Sequence, residues 1–113
     1  MAADGMVDAL TALRSLTGRR VQVTLAFGEI LLARTDLVLE DVLVEELRLV
    51  LTGSFDEEAD RILYREVSLP LAEDEDVGVS AFGGELRLET SEGFFLEVIP
   101  LEGKEPPAAA KSR

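Results

Sequence analysis

With 113 residues and neither cysteine nor histidine, the chain is one modest domain without disulfides, thiolate chemistry or the usual general base near neutral pH. Eleven basic residues against 23 acidic ones give a net charge of −12, a field that repels phosphate backbones and disfavours DNA or RNA as a partner. There is no uncharged run long enough to span a bilayer and no basic-then-apolar leader, so the chain reads as soluble, without a membrane partner, and its composition fits a reducing cytoplasm.

In chain order, Asp4 is a candidate helix cap, and Met6, Val7, Leu10, Leu13 and Leu16 follow at helical spacing before Gly18, a natural stop. One short amphipathic helix is expected over about 6–16. From Val21 the period changes to two. Val21, Val23, Leu25 and Phe27 alternate with Gln22, Thr24 and Ala26, the pattern of a half-buried strand, and Gly28 permits a turn into a second strand over 30–35.

Residues 37–52, "LVLEDVLVEELRLVLT", carry two patterns. A helix would align Leu39, Val42, Leu43, Leu47, Val50 and Leu51 in one stripe. A strand reading uses the alternation of Leu47, Leu49 and Leu51 and places a bulge or bend at Glu45-Glu46. The dense Val and Leu content, with strands on both sides, favours strand. A polar loop is expected over Gly53–Asp60, followed by a strand in which Leu63, Val67, Leu69 and Leu71 share parity. Pro70 cannot donate to a ladder, so that strand ends there or lies at an edge.

The segment 76–101, "DVGVSAFGGELRLETSEGFFLEVIPL", is the most legible. Gly83-Gly84 accepts the positive φ angles of a tight hairpin turn, which sets Ala81 against Leu86, Val79 against Leu88 and Ser80 against Arg87. Ser91-Glu92-Gly93 then forms a three-residue loop, setting Leu88 against Leu96, Leu86 against Val98 and Arg87 against Glu97. The fold class is therefore mainly β with one short N-terminal helix: a small antiparallel barrel or two-layer sandwich of about seven strands, ending in a three-strand meander. Residues 1–101 form the single domain. The tail 102–113, rich in Pro and Ala, is expected to be flexible.

The segment 13–42 bears on family. Val21, Val23, Leu25, Gly28, Leu37, Leu39 and Asp41 stand at places that resemble the opening motif of Sm-like proteins, with an N-terminal helix before them. The stretch between Gly28 and Leu37 is several residues shorter than in that family. Ala33 stands where a bending glycine is expected, Asp36 where a base-reading asparagine is expected, and the later Ile-Arg-Gly strand is absent. The RNA-binding positions are thus lost, and the resemblance implies no RNA partner.

The catalytic inventory is thin. The serines have no activating histidine, and both lysines, Lys104 and Lys111, lie in the tail. Gly83-Gly84 joins two strands and opens no helix, so it is no phosphate loop. No enzyme and no cofactor or metal is expected, although a carboxylate pair with one raised pKa remains the form a catalytic site would take. Residues 36–76 alone carry fourteen acidic and three basic groups. The candidate partner-binding residues are accordingly Asp56, Glu57, Glu58 and Asp60 in one loop and Glu73, Asp74, Glu75 and Asp76 in the next. Phe95 and Ile99 join them, because they face away from Phe94, Leu96 and Val98. The sequence points to a non-catalytic acidic module that docks onto a partner protein, a basic one by charge, or onto copies of itself, as an inhibitor-type protein or a structural subunit. The alternative is a small β-barrel that binds a hydrophobic ligand in its mouth.

Overall fold

The computed structural model describes residues 2–58, 61–73 and 75–101, with side chains described for 5–54, 64–73, 75–81 and 83–101. Its elements are helix α1 (Ala2–Arg14) and seven strands: β1 (Arg20–Phe27), β2 (Ile30–Glu45), β3 (Arg48–Glu58), β4 (Arg61–Pro70), β5 (Gly78–Phe82), β6 (Glu85–Glu89) and β7 (Phe94–Pro100). All pairings are antiparallel, in one sheet of order β4-β3-β2-β1-β7-β6-β5. The mainly β class, the N-terminal helix and the terminal meander are as the sequence indicates. Closure into a barrel is not: the sheet stays open, with β4 and β5 as its edges. Instead it curls, so that β4 touches β1 and β7 across the core while α1 packs against β2, β5 and β6.

The meander follows the expected register pair for pair. Gly83 and Gly84 both have positive φ, 62° and 84°, as a two-residue hairpin turn demands. Leu88 and Leu96, opposite each other, are fully buried. Each such side chain contributes about 1.5–3 kcal/mol relative to exposure.

Residues 37–45 and 48–52 are strand, and in place of a bulge or bend at Glu45-Glu46 the chain makes a full hairpin turn at Glu46-Leu47 between β2 and β3. The chain from Gly53 to Glu58 is also strand, not loop, because β3 carries on pairing with β4 beyond the end of its ladder with β2. The helix starts four residues earlier than expected and stops at Arg14. In it Ala9 joins Leu13 in the core while Val7 is exposed, so the buried face is rotated from the expected stripe, and Leu16 is buried from the turn that follows. Gly18 (φ 87°) ends the helical region, and its N–H donates to Leu39 O at 2.7 Å. The tail 102–113 lies outside the described residues.

β2 serves two ribbons. Residues 30–38 pair with β1 and residues 38–45 with β3, with a bulge between Leu39 and Asp41 at the change of partner. There β3 presents Gly53, at which an added Cβ would run into the carbonyl oxygen of Val38 and lie 2.7 Å from Leu37 Cδ1. A similar approach joins helix to loop: a Cβ on Gly5 would meet the carbonyl oxygen of Val77.

Gly53→Ala is therefore expected to lower stability by about 1–3 kcal/mol, although alanine ordinarily improves a strand interior. The check is the urea midpoint at unchanged slope. The control is Gly78→Ala, also within a strand, where the nearest atom to an added Cβ is Glu89 O at an ordinary 3.9 Å; its midpoint should hold or rise. Gly5→Ala should also destabilise, against its gain of about 1 kcal/mol in helix propensity.

Candidate interaction surface

The acidic segments divide once folded. Asp56 and Glu58 sit on the β3 backbone opposite Ile62 and Arg61, with Glu57 between them. The side chains of Asp56, Glu57 and Glu58 lie outside those described, as do Asp60 and Asp74 entirely. Glu73 and Asp76 are exposed. Glu75 turns inward and is only 9% exposed. Its Oε1 accepts from Ala72 N (3.2 Å) and Ser91 Oγ (3.3 Å), and its Oε2 accepts from Ser91 N (2.9 Å). A carboxylate with both oxygens engaged fastens the 71–76 segment to the β6–β7 turn, and the backbone amide donors explain why it tolerates burial.

Phe95 and Ile99 are half-buried on the side of β7 away from the core. The Arg87 guanidinium lies over the Phe95 ring, 4.2 Å from its centroid. Arg87 also pairs with Glu97 (3.5 Å) and Glu89 (3.1 Å). The Glu89 contact is an ion pair without a hydrogen bond, since Nε lacks an aligned acceptor. This face carries a polar row across four strands, Arg34, Thr24, Glu97 and Arg87, in which Arg34 Nε donates to Thr24 Oγ1 at 3.2 Å. Ile99 and Pro100 line a groove of about 250 Å³ against Leu16, Arg19 and the Gly83-Gly84 turn. That volume is below the usual range for a small-molecule pocket, about 300–1,000 Å³.

The exposed large apolar side chains lie mostly elsewhere. Among the described side chains, apart from Val7 and Tyr64, they fall at the two ends of β2: Phe27, Ile30, Leu31 and Leu32 at the β1–β2 hairpin, and Leu43, Val44 and Leu47 at the β2–β3 hairpin. Sequence reasoning missed these residues. A signal existed in "EILLA" and "VLVEEL", because successive residues of a strand point to opposite faces and cannot all reach one core.

At the β1–β2 end, Phe27 pairs with Ile30 across the Gly28-Glu29 turn, and the Phe27 and Phe94 ring centroids are 4.6 Å apart. Residues 30–37 of β2 pair only with β1 among the described strands.

At the β2–β3 end, Glu45 pairs with Arg48, leaving Glu46-Leu47 as the turn. Leu47 has φ 61°, the one positive φ outside glycine among the described residues. A γ-branched residue there costs about 1–2 kcal/mol, at a turn position where glycine or asparagine is usual. The conformation is pinned by Leu71 N donating to Leu47 O at 3.0 Å, yet the side chain is 53% exposed. Behind the tip, Arg48 reaches Glu45 (2.7 Å), Glu66 (3.6 Å) and the Ser68 hydroxyl (3.4 Å), on the face that holds buried Val50. Glu46, in the turn itself, is exposed.

Comparison with protein-family models, curated proteins and solved structures finds no match, so the partial likeness to the Sm-like opening motif assigns no family. Among the described residues, no group of three or more Asp or Glu side chains is placed to hold a metal ion, and no helix is long and apolar enough to cross a membrane.

Replacing Glu75 by alanine strands the Ser91 and Ala72 amides and is expected to cost about 1–3 kcal/mol. Thermal unfolding should show the loss, and hydrogen exchange should show the Ser91 amide losing protection first.

Proposed function

We propose that this chain is a non-catalytic acidic protein-interaction module that docks onto a partner protein through the ends of its β2 hairpins. One observation carries the reading: among the described side chains, seven of the nine large apolar ones left exposed gather at those two ends, Val7 and Tyr64 being the exceptions. The net charge of −12 adds the direction, since a field of that sign speeds encounter with a basic surface and fixes its orientation. Glu75, the one buried carboxylate among the described side chains, has both oxygens engaged, so it lends no support to carboxylate chemistry. An open sheet with a groove of about 250 Å³ also gives the ligand-barrel alternative less support than docking.

Self-assembly is the second reading, favoured by residues 30–37 of β2, which pair only with β1 among the described strands and include exposed Ile30, Leu31 and Leu32. An unpaired, apolar edge is a template for another strand.

Size-exclusion chromatography with light scattering on material from the chain's own cells, at low and high salt, separates the two. A charge-steered complex with a basic partner should dissociate as salt rises, whereas a strand-paired oligomer should persist. Leu31→Ser together with Val44→Ser should abolish either assembly and leave the melting temperature unchanged. An assembly indifferent to these substitutions, or a chain that comes alone with a tightly held small molecule, would overturn the proposal.

A further inference from the structure

Resting on that reading, we infer that the β2–β3 hairpin tip, built on Leu47, is the docking element, and that its partner is an apolar protein surface flanked by lysine or arginine. Exposure alone does not separate this tip from the β1–β2 end; backbone conformation does. A turn selected only for folding would place glycine or asparagine where Leu47 sits, because φ 61° is unfavourable for leucine. A buried leucine could offset that strain by packing, but this one is 53% exposed, so its own fold returns little for it. The side chain gains something only when another molecule covers it. The pinned carbonyl, which accepts from Leu71 N at 3.0 Å, holds the turn in place before any partner arrives. Pre-ordering of that kind reduces what binding must immobilise.

Charge selects the occupant. Leu43 (42% exposed) and Val44 (47%) point to opposite faces of β2 and make the tip apolar on both sides. The exposed acids at the tip are Glu45, Glu46 and Glu66; of the cations, Arg48 is engaged by Glu45 and Glu66, and Arg14 donates to the Val42 carbonyl oxygen at 3.1 Å, further from the turn. A second copy would bring the same acidic rim against itself, and like charges brought together at an interface oppose association. A basic-flanked apolar surface complements both the wedge and its rim. The β1–β2 end lacks this selectivity, since Arg34 stands beside Asp36 there and Thr35 accepts from Arg65.

The probe is a synthetic amphipathic helical peptide with a leucine stripe between two rows of lysine, followed by nuclear magnetic resonance shift mapping on the full chain. The largest shifts are expected at residues 43–48. Leu47→Gly should weaken binding about tenfold, the size of a hot-spot loss, while the melting temperature holds or rises. A residue that only stabilises its own fold would give the reverse pair of results. Glu46→Lys should weaken binding and flatten its salt dependence. Three outcomes would sink the assignment: unchanged affinity in Leu47→Gly, a lower melting temperature in that variant, or no binding of the peptide. Shifts centred on residues 30–32 would also sink it while leaving the interaction-module reading standing.

Discussion

A strand that belongs to two ribbons must bend between them, and in this protein the bend rests on one close backbone approach. β2 exchanges β1 for β3 at Val38, with a bulge between Leu39 and Asp41, and Gly53 lets the carbonyl of Val38 come where any side chain would intervene. Twist alone would carry the β3–β4 ribbon away from β1. The bend brings it back, so that Leu49, Leu51, Val67 and Leu69 share one core with Val21, Val23, Leu96 and Val98. The helix and the turn after it then cover the remaining apolar surface with Ala9, Leu13 and Leu16.

The same bend explains which apolar residues stay outside. Beyond the change of partner, each hairpin of β2 runs past the region that the curled sheet and helix can cover. Val44 lies on the face that carries buried Val42 and its own partner Leu49, yet it is exposed: Leu49 has Leu69 of β4 on its far side, whereas the β1 ladder of β2 stops at Val38. Ile30, Leu31 and Leu32 stand likewise at the outer end of the ribbon shared with β1. The exposed apolar surface is thus a by-product of the geometry that makes the core, and Leu47, with its positive φ, stands at one of its ends.

Acidity is distributed in the same way. Arg48, Glu45 and Glu66 are coupled on one face, and Arg87 is held between Glu89, Glu97 and the Phe95 ring. Exposed ion pairs of this type add little stability, about 0–1 kcal/mol each. Their consequence is electrostatic: at the hairpin tip, Arg48 is already paired with Glu45 and Glu66.

Local pattern was enough to indicate the mainly β class, the meander register and the turn at Gly83-Gly84, because alternation with period two and the φ freedom of glycine are properties of neighbouring residues; it did not reveal that Gly53–Glu58 is strand. Pro70 ending an edge strand was legible for the same reason: a missing donor is a property of one residue. Glu75 reads in the sequence as one more surface acid in "EDED". Only the fold brings Ser91, sixteen positions away, to its carboxylate and makes it a buried fastening. Whether the sheet closed, which leucines the core would leave out and why Gly53 has no side chain were likewise decided by tertiary structure. Each depends on where a distant strand comes to lie, and no short window of sequence contains that distance.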